Sequence, residues 1–176
     1  MIMKKIFLSA IVTVLLSGFV IAQNQYEVLT ERPNEKTWKG IISREVLMND
    51  TFFMNHWYAA NQNNYNPNSD AVTELKKLAD SIQFLVFMGT WCEDSQFIIP
   101  KFFRLADASG FPANRITLIG VDRNKKTLSH LTEALGVNNV PTIMVMKGGK
   151  EMGRVVEYGK SGMFDKDLAE ILKTIQ

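Results

Sequence analysis

The sequence holds one cysteine, Cys92, in 176 residues, and two histidines, His56 and His130. A lone cysteine cannot close a disulfide within its own chain. The histidines lie far apart, with no cysteine or carboxylate at metal-ligand spacing, so both read as helix residues and not as ligands. No charge of one sign prevails. The formal net charge is +2, and it falls to zero once Lys4 and Lys5 are set aside. That balance removes any electrostatic pull toward nucleic acid or an anionic membrane surface. A phosphate-binding glycine loop, a paired-carboxylate site and a Ser/His/Asp arrangement are all missing, as are internal repeats. The one chemical feature left is a thiol.

Long apolar runs are confined to the start. Met1-Ile2-Met3-Lys4-Lys5 is basic, Ile6 to Ile21 is mostly apolar, and small residues lead to Ala22. This is the three-part pattern of a secretory signal peptide, residues 1–22, cleaved after Ala22. The run is interrupted by Ser9, Thr13, Ser17 and Gly18, whereas a spanning helix wants about 20 apolar residues. No cysteine follows the cleavage position, which excludes the lipid-anchored variant. The expectation is an exported protein, periplasmic or extracellular, with no membrane insertion after cleavage. Such a compartment permits disulfides, so a lone exported thiol is either buried and inert or meant for another molecule.

Beyond the leader, residues 23–69 read as an extension. Gln23 to Lys39 is a polar lead-in arm without sustained periodicity. Residues 43–62 place Val46, Leu47, Phe53, Met54, Trp57 and Tyr58 at helical spacing, which predicts an amphipathic helix with its aromatics in the core. An Asn-rich loop follows to Ser69, and Asp70 is the expected N-cap of a helix ending near Asp80. From there strands and helices alternate. Residues 83–88 form a buried strand, and a helix runs from about Glu93 to Ala108. Residues 116–121 form a second buried strand, and Thr127 to Leu135 a helix closed by Gly136. Residues 142–146 and 152–158 flank Lys147-Gly148-Gly149-Lys150 as a β-hairpin, and Asp165 to Ile175 is the closing helix. The class is α/β: a central mixed sheet with flanking helices, plus an N-terminal helical extension. Val121-Asp122-Arg123-Asn124-Lys125-Lys126 reads as a solvated turn.

Cys92 sits where the apolar strand 83–88 gives way to a helix. Unpaired N–H groups and the helix dipole at such a terminus favour a thiolate, by about 0.3–1 kcal/mol. Glu93 and Asp94 oppose it by a similar amount, roughly 0.6–1 kcal/mol for a carboxylate about 7 Å away in a wet site. The terms nearly cancel, which predicts a slow nucleophile.

Four features at fixed order and spacing resemble the thioredoxin family over residues 70–176. They are the strand ending in Thr90-Trp91-Cys92, Pro100 within the following helix, Gly136-Val137-Asn138-Asn139-Val140-Pro141-Thr142, and the Gly148-Gly149 hairpin followed by Gly159. The pattern is closest to exported bacterial thioredoxin-like proteins with a monothiol Trp-Cys-x-Asp-Ser motif. The resemblance implies a thioredoxin-like fold, a cis Pro141, and Cys92 as nucleophile. It implies docking of substrate on Trp91, Val140 and Pro141. Two departures stand out. Ser95 replaces the family's resolving cysteine, and Val86 replaces its buried aspartate.

With Ser95 in place, a mixed disulfide on Cys92 cannot be resolved within the chain. Attack stays possible, with the Ser95 hydroxyl expected to donate to the sulfur. Release then needs an external thiol as co-substrate, or the substrate's own second cysteine. No cofactor or metal is implied. The expected activity is monothiol thiol–disulfide exchange or isomerisation on exported proteins carrying disulfides or glutathione-type adducts. The alternative is a redox-inert thioredoxin-fold binding module. A buried sulfur would favour the module, and an exposed one facing Pro141 the chemistry.

Overall fold

The computed structural model describes residues 25–33 and 35–175, so the expected signal peptide lies outside the described residues. Its strands are β1 (Tyr26–Arg32), β2 (Glu35–Ile42), β3 (Gln83–Met88), β4 (Ile116–Gly120), β5 (Thr142–Lys147) and β6 (Lys150–Val156). They form one sheet in the order β1-β2-β4-β3-β5-β6. β3 and β4 are parallel, and every other neighbouring pair is antiparallel. The unbroken apolar run Phe84–Met88 explains the central place of β3, because successive side chains point to opposite faces and both faces are covered. Phe84, Val86 and Met88 join the larger core, while Phe87 packs with Ile119, Val121, Val137, Val140 and Met144 on the other side.

The helices are α1 (Arg44–Met48), α2 (Thr51–Phe53), α3 (Ala59–Asn63), α4 (Ser69–Leu78), α5 (Glu93–Ser109), α6 (Leu131–Ala134) and α7 (Phe164–Lys173). A π-helical turn, Met54–Tyr58, joins α2 to α3. The amphipathic helix expected over 43–62 is therefore present in pieces. Asp50 caps α2 through the N–H groups of Phe52 and Phe53 and also takes the Trp38 indole N–H at 2.9 Å. Phe53 and Tyr58 are buried in the larger core. This segment lies on α5: Arg44 grips Asp107 with both arms, at 2.7 and 2.8 Å, and donates to the Tyr58 hydroxyl. The cap of α4 is Asn68 and not Asp70, because the Asn68 side chain accepts from the N–H groups of Asp70 and Ala71. Asp70 instead meets Lys173 at 2.8 Å.

The expected polar arm is a β-hairpin. β1 is an edge strand with only Tyr26 and Leu29 half-buried, so it shows no clean alternation to read. β2 buries Thr37, Gly40 and Ile42, an irregular spacing that does not stand out from its charged neighbours. The extension is thus part sheet and part helix. The helix expected over 127–135 is also broken. Leu128–His130 forms a 3₁₀ turn, and Ser129 and His130 take left-handed backbone, φ 57° and 53°, before α6. The Gly148-Gly149 turn between β5 and β6 has positive φ at both residues, 56° and 77°, the twist that a two-residue hairpin loop needs.

Candidate active site

Cys92 is the N-cap residue of α5, with extended backbone, and its carbonyl accepts the N–H of Gln96 at 2.9 Å. Its sulfur is half-buried and donates to the carbonyl of Val140 at 3.2 Å. Val140 precedes Pro141, and the peptide bond between them is cis. The loop is fixed on both sides: Thr142 Oγ1 bonds Asn139 O at 2.7 Å, and the Glu157 N–H bonds Pro141 O at 2.7 Å. Sequence residues 48 apart thus meet at the sulfur, as the resemblance implied. Val140 and Pro141 are themselves buried, so the surface beside the thiol is made by their neighbours.

The expected hydrogen bond from Ser95 to the sulfur does not form. Ser95 is fully buried, and its hydroxyl accepts from the Gly89 N–H at 3.2 Å, tying the start of α5 to the loop before Cys92. Gln96 adds a second tie through Nε2 to Thr90 O at 2.7 Å. Trp91 lies flat on Gly89, where an added Cβ would come within 2.7 Å of the indole, and its Nε1 donates to Val121 O at 3.1 Å. Val86 is wholly buried beneath.

The segment read as a solvated turn is a wall of this site. Asp122 is buried and organises residues 122–126: its Oδ1 accepts from the N–H groups of Asn124 and Lys126, and its Oδ2 from Lys39 Nζ at 2.9 Å. Burial works to raise the Asp122 pKa, but the Lys39 hydrogen bond and the backbone donors outweigh it and hold the carboxyl below its usual range. Arg123 stacks its guanidinium over Trp91 at 5.3 Å and pairs with Glu35 of β2. Charged residues hid this role in the sequence, because their partners come from a strand more than eighty positions away.

β2 reaches the wall because of its register. Gly40 pairs with Gly120, the last residue of β4, so Glu35–Lys39 overhang the end of the sheet beside the thiol. The strands come so close there that a Cβ on Gly120 would lie 2.0 Å from Trp38 O. Thr90 Oγ1 bonds Lys36 O at 2.9 Å and fastens the overhang to the Trp91-Cys92 loop.

Tyr158 closes the opposite rim. It follows β6, packs against Phe97 of α5 at 5.7 Å, and both rings are about two-fifths exposed. Burial raises the Tyr158 pKa, and a hydrogen bond to Asp94 and the charges of Asp94 and Cys92 add to the effect. Lys101 lies over the Phe97 ring at 3.0 Å, and burial lowers its pKa. Sequence gave no sign of Tyr158, since only the β5–β6 pairing brings it to α5. Among the described residues no group of three or more His, Cys, Asp or Glu side chains could hold a metal ion.

A family model described as thioredoxin matches residues 44–163, a span that includes every site residue named above except the overhanging strand. The thioredoxin of Alicyclobacillus acidocaldarius subsp. acidocaldarius is 26% identical over 89 residues, covering 49% of this chain and 78% of that protein. The TPR repeat-containing thioredoxin TDX of Arabidopsis thaliana is 27% identical over 97 residues, 55% of this chain but only 24% of that longer protein. Among solved structures, reduced Schistosoma mansoni thioredoxin pre-protein superimposes with a TM-score of 0.41 at 20% identity, covering 64% of this chain and 95% of that one.

Proposed function

The chain belongs to the thioredoxin family, and we propose that it is an exported monothiol enzyme that exchanges or isomerises disulfides through Cys92. The observation that carries this reading is the half-buried Cys92 at the N-terminus of α5, its sulfur held against the carbonyl that precedes cis-Pro141. A relic cysteine would be expected to sink into the core, as Ser95 has.

The steps follow from one sulfur. The Cys92 thiol gives up its proton to solvent, and the thiolate attacks one sulfur of a disulfide R–S–S–R′. A bond forms between Cys92 and R′–S, the S–S bond breaks, and R–S⁻ leaves to take a proton from water. A small external thiol R″–SH then attacks the new mixed disulfide, forms R″–S–S–R′ and frees Cys92 as the thiolate, so that its sulfur is oxidised to disulfide level as R–S is reduced to a thiol. In isomerisation the substrate's own second thiol performs that step, and no net electrons move. The substrates proposed are exported proteins carrying disulfides or thiol adducts. Ser95 serves here by holding Gly89, and Trp91 and the Val140-Pro141 loop by framing the sulfur.

The test is reaction of the purified protein, residues 23–176, with a glutathionylated peptide, read by intact mass with and without free thiol. The expected result is a Cys92 adduct that free thiol releases with turnover, both lost in Cys92→Ser. A folded protein whose Cys92 resists alkylation and forms no adduct would instead be a redox-inert binding module.

A further inference from the structure

A row of contacts leads away from the thiol along the outer face of α5. Tyr158, on the rim beside Cys92, meets the Phe97 ring at 5.7 Å. Lys101 Nζ lies 3.0 Å from the centre of that ring and 5.9 Å from the centre of the Tyr65 ring. Arg104 Nε donates to the Tyr65 carbonyl at 2.9 Å. Phe97, Lys101 and Arg104 stand at i, i+4 and i+7 of α5, so one helix face carries all three. Phe97, Tyr158 and Arg104 are exposed. Both cations are positioned but unspent: among the described residues neither forms an ion pair. Burial works against the Lys101 charge and Asp165 supports it, but that carboxylate is itself buried and taken by the Tyr65 hydroxyl and the Asn68 N–H. Nearer the thiol the sign reverses, with Glu93 and Asp94 in the first turn of α5. Leading from Cys92, the face therefore offers acid, then two aromatic rings, then positive charge.

We propose that this face of α5 docks an acidic stretch of the disulfide-bearing protein substrate, four to six residues from its reacting cysteine. This rests on the thiol-exchange reading above. Lys101 and Arg104 follow Cys92 by nine and twelve residues. That is about 14 and 18 Å along the helix axis, at about 1.5 Å per residue. An extended chain covers the same distance in roughly four to six residues, at about 3.3 Å each. The residues between cross Phe97 and Tyr158, which suit apolar side chains, whereas a carboxylate beside the cysteine meets the like charges of Glu93 and Asp94. Continuity with the thiol rim and the order of charge along α5 thus specify the same occupant.

The experiment uses peptides with one cysteine blocked by mercaptoethanol, a neutral thiol, so that only the peptide carries charge. They bear Glu-Glu about five residues from the cysteine, Gln-Gln at the same place, or Glu-Glu beside the cysteine, with the distant pair set on the N- and C-terminal side in turn. At low salt, kcat/KM should favour distant Glu-Glu over Gln-Gln on one of the two sides by about fivefold, the combined effect of two partly exposed charges. The ratio should fall toward one in K101Q/R104Q and in the parent protein at about 0.5 M salt, and should persist in R104K. Lys150→Gln, on the distant β5–β6 turn, should leave it unchanged. The salt series needs no variant, so it decides the matter if K101Q/R104Q does not fold. The same peptides with serine for cysteine, labelled and titrated by fluorescence anisotropy, read docking without the thiol. Equal kcat/KM for all peptides, with turnover, overturns the docking face but leaves thiol exchange standing, and so does a preference for Glu-Glu beside the cysteine. Salt-sensitive binding of the acidic serine peptide, with no labelling of Cys92 by any substrate, upholds the face and overturns exchange; neither binding nor labelling overturns both. Self-association of the parent protein that K101Q/R104Q abolishes would make a second copy the occupant and overturn the assignment to substrate.

Discussion

Asn61 of α3 donates its side-chain amide to the backbone carbonyl of Gln96 in α5, at 3.1 Å. Gln96 is the residue four before Pro100, so its carbonyl is the one that proline, lacking an N–H, leaves without a helix partner. A side chain from the N-terminal extension thus completes the hydrogen bonding of the helix that carries Cys92. Asn61→Ala should destabilise the protein by about 1–3 kcal/mol, the cost of stranding a partly buried acceptor. Pro100→Ala restores an N–H at that position, so in its background the Asn61→Ala cost should shrink markedly. Urea unfolding of the four proteins of this cycle measures it. An equal cost in both backgrounds would show that Asn61 stabilises by packing alone.

Ser95 is expected to behave as a structural acceptor in one variant and as a latent thiol in another. Ser95→Ala strands the buried Gly89 N–H and should cost about 1–3 kcal/mol, with a loosened Trp91-Cys92 loop seen as faster amide exchange at Gly89. Ser95→Cys places a second sulfur three residues along the helix, a spacing that a disulfide can span. That variant should gain dithiol reductase activity toward a protein disulfide without added small thiol. No gain, with a disulfide formed between Cys92 and the new cysteine, would locate the barrier in substrate docking and not in the missing thiol.

The difference between what the sequence revealed and what it hid follows the range of the interactions. β3, the start of α5 at Cys92, and the β5–β6 turn were legible because each is written in neighbouring residues: an apolar run, a strand-to-helix junction, a Gly-Gly pair. The Val140-Pro141 loop was legible only through family resemblance, since nothing local says that it returns to a sulfur 48 positions away. β1 and β2 were missed because β1 is a polar edge strand with little alternation and β2 buries its residues at irregular spacing among charged neighbours. The wall built from Asp122 and Arg123 was misread as a solvated turn for a related reason. Its partners, Lys39 and Glu35, are supplied by strand register, which a single sequence does not display. Ser95, expected to donate to the sulfur, instead accepts from the Gly89 N–H, a contact set by the turn before Cys92 that spacing along a helix does not reveal.

Gly120 tests the overhang directly. Alanine there would put a Cβ 2.0 Å from Trp38 O, a backbone atom with no rotamer to move aside. The hairpin must therefore shift, at a cost of about 1–3 kcal/mol for an overpacked site. Hydrogen exchange should quicken at Ile41, whose N–H bonds Gln25 O, before it does in β3. If the overhang positions the thiol loop through Thr90, the Cys92 alkylation rate will change in the same variant. A displaced hairpin with an unaltered alkylation rate would make the overhang a bystander to the chemistry.

Asp122 gives the site an acid sensitivity whose sign is set by its lowered pKa. A carboxyl depressed in the folded state contributes stability that is fully present above its unfolded value, about 3.9. The contribution is lost as pH falls through the lower folded value, when the carboxylate that holds Lys39 and the N–H groups of Asn124 and Lys126 becomes neutral. Asp122→Asn keeps an acceptor of the same shape but removes the charge. At pH 7 it should be less stable by roughly 1–2 kcal/mol, in the range of one charge-assisted hydrogen bond. Below about pH 4 the parent protein should lose stability more steeply than the variant, so the gap between them closes. Urea midpoints from pH 7 down to pH 2.5 check this. A gap that stays constant across that range would mean that the Asp122 charge does no more than a neutral amide, and that the loop is held by its backbone hydrogen bonds alone.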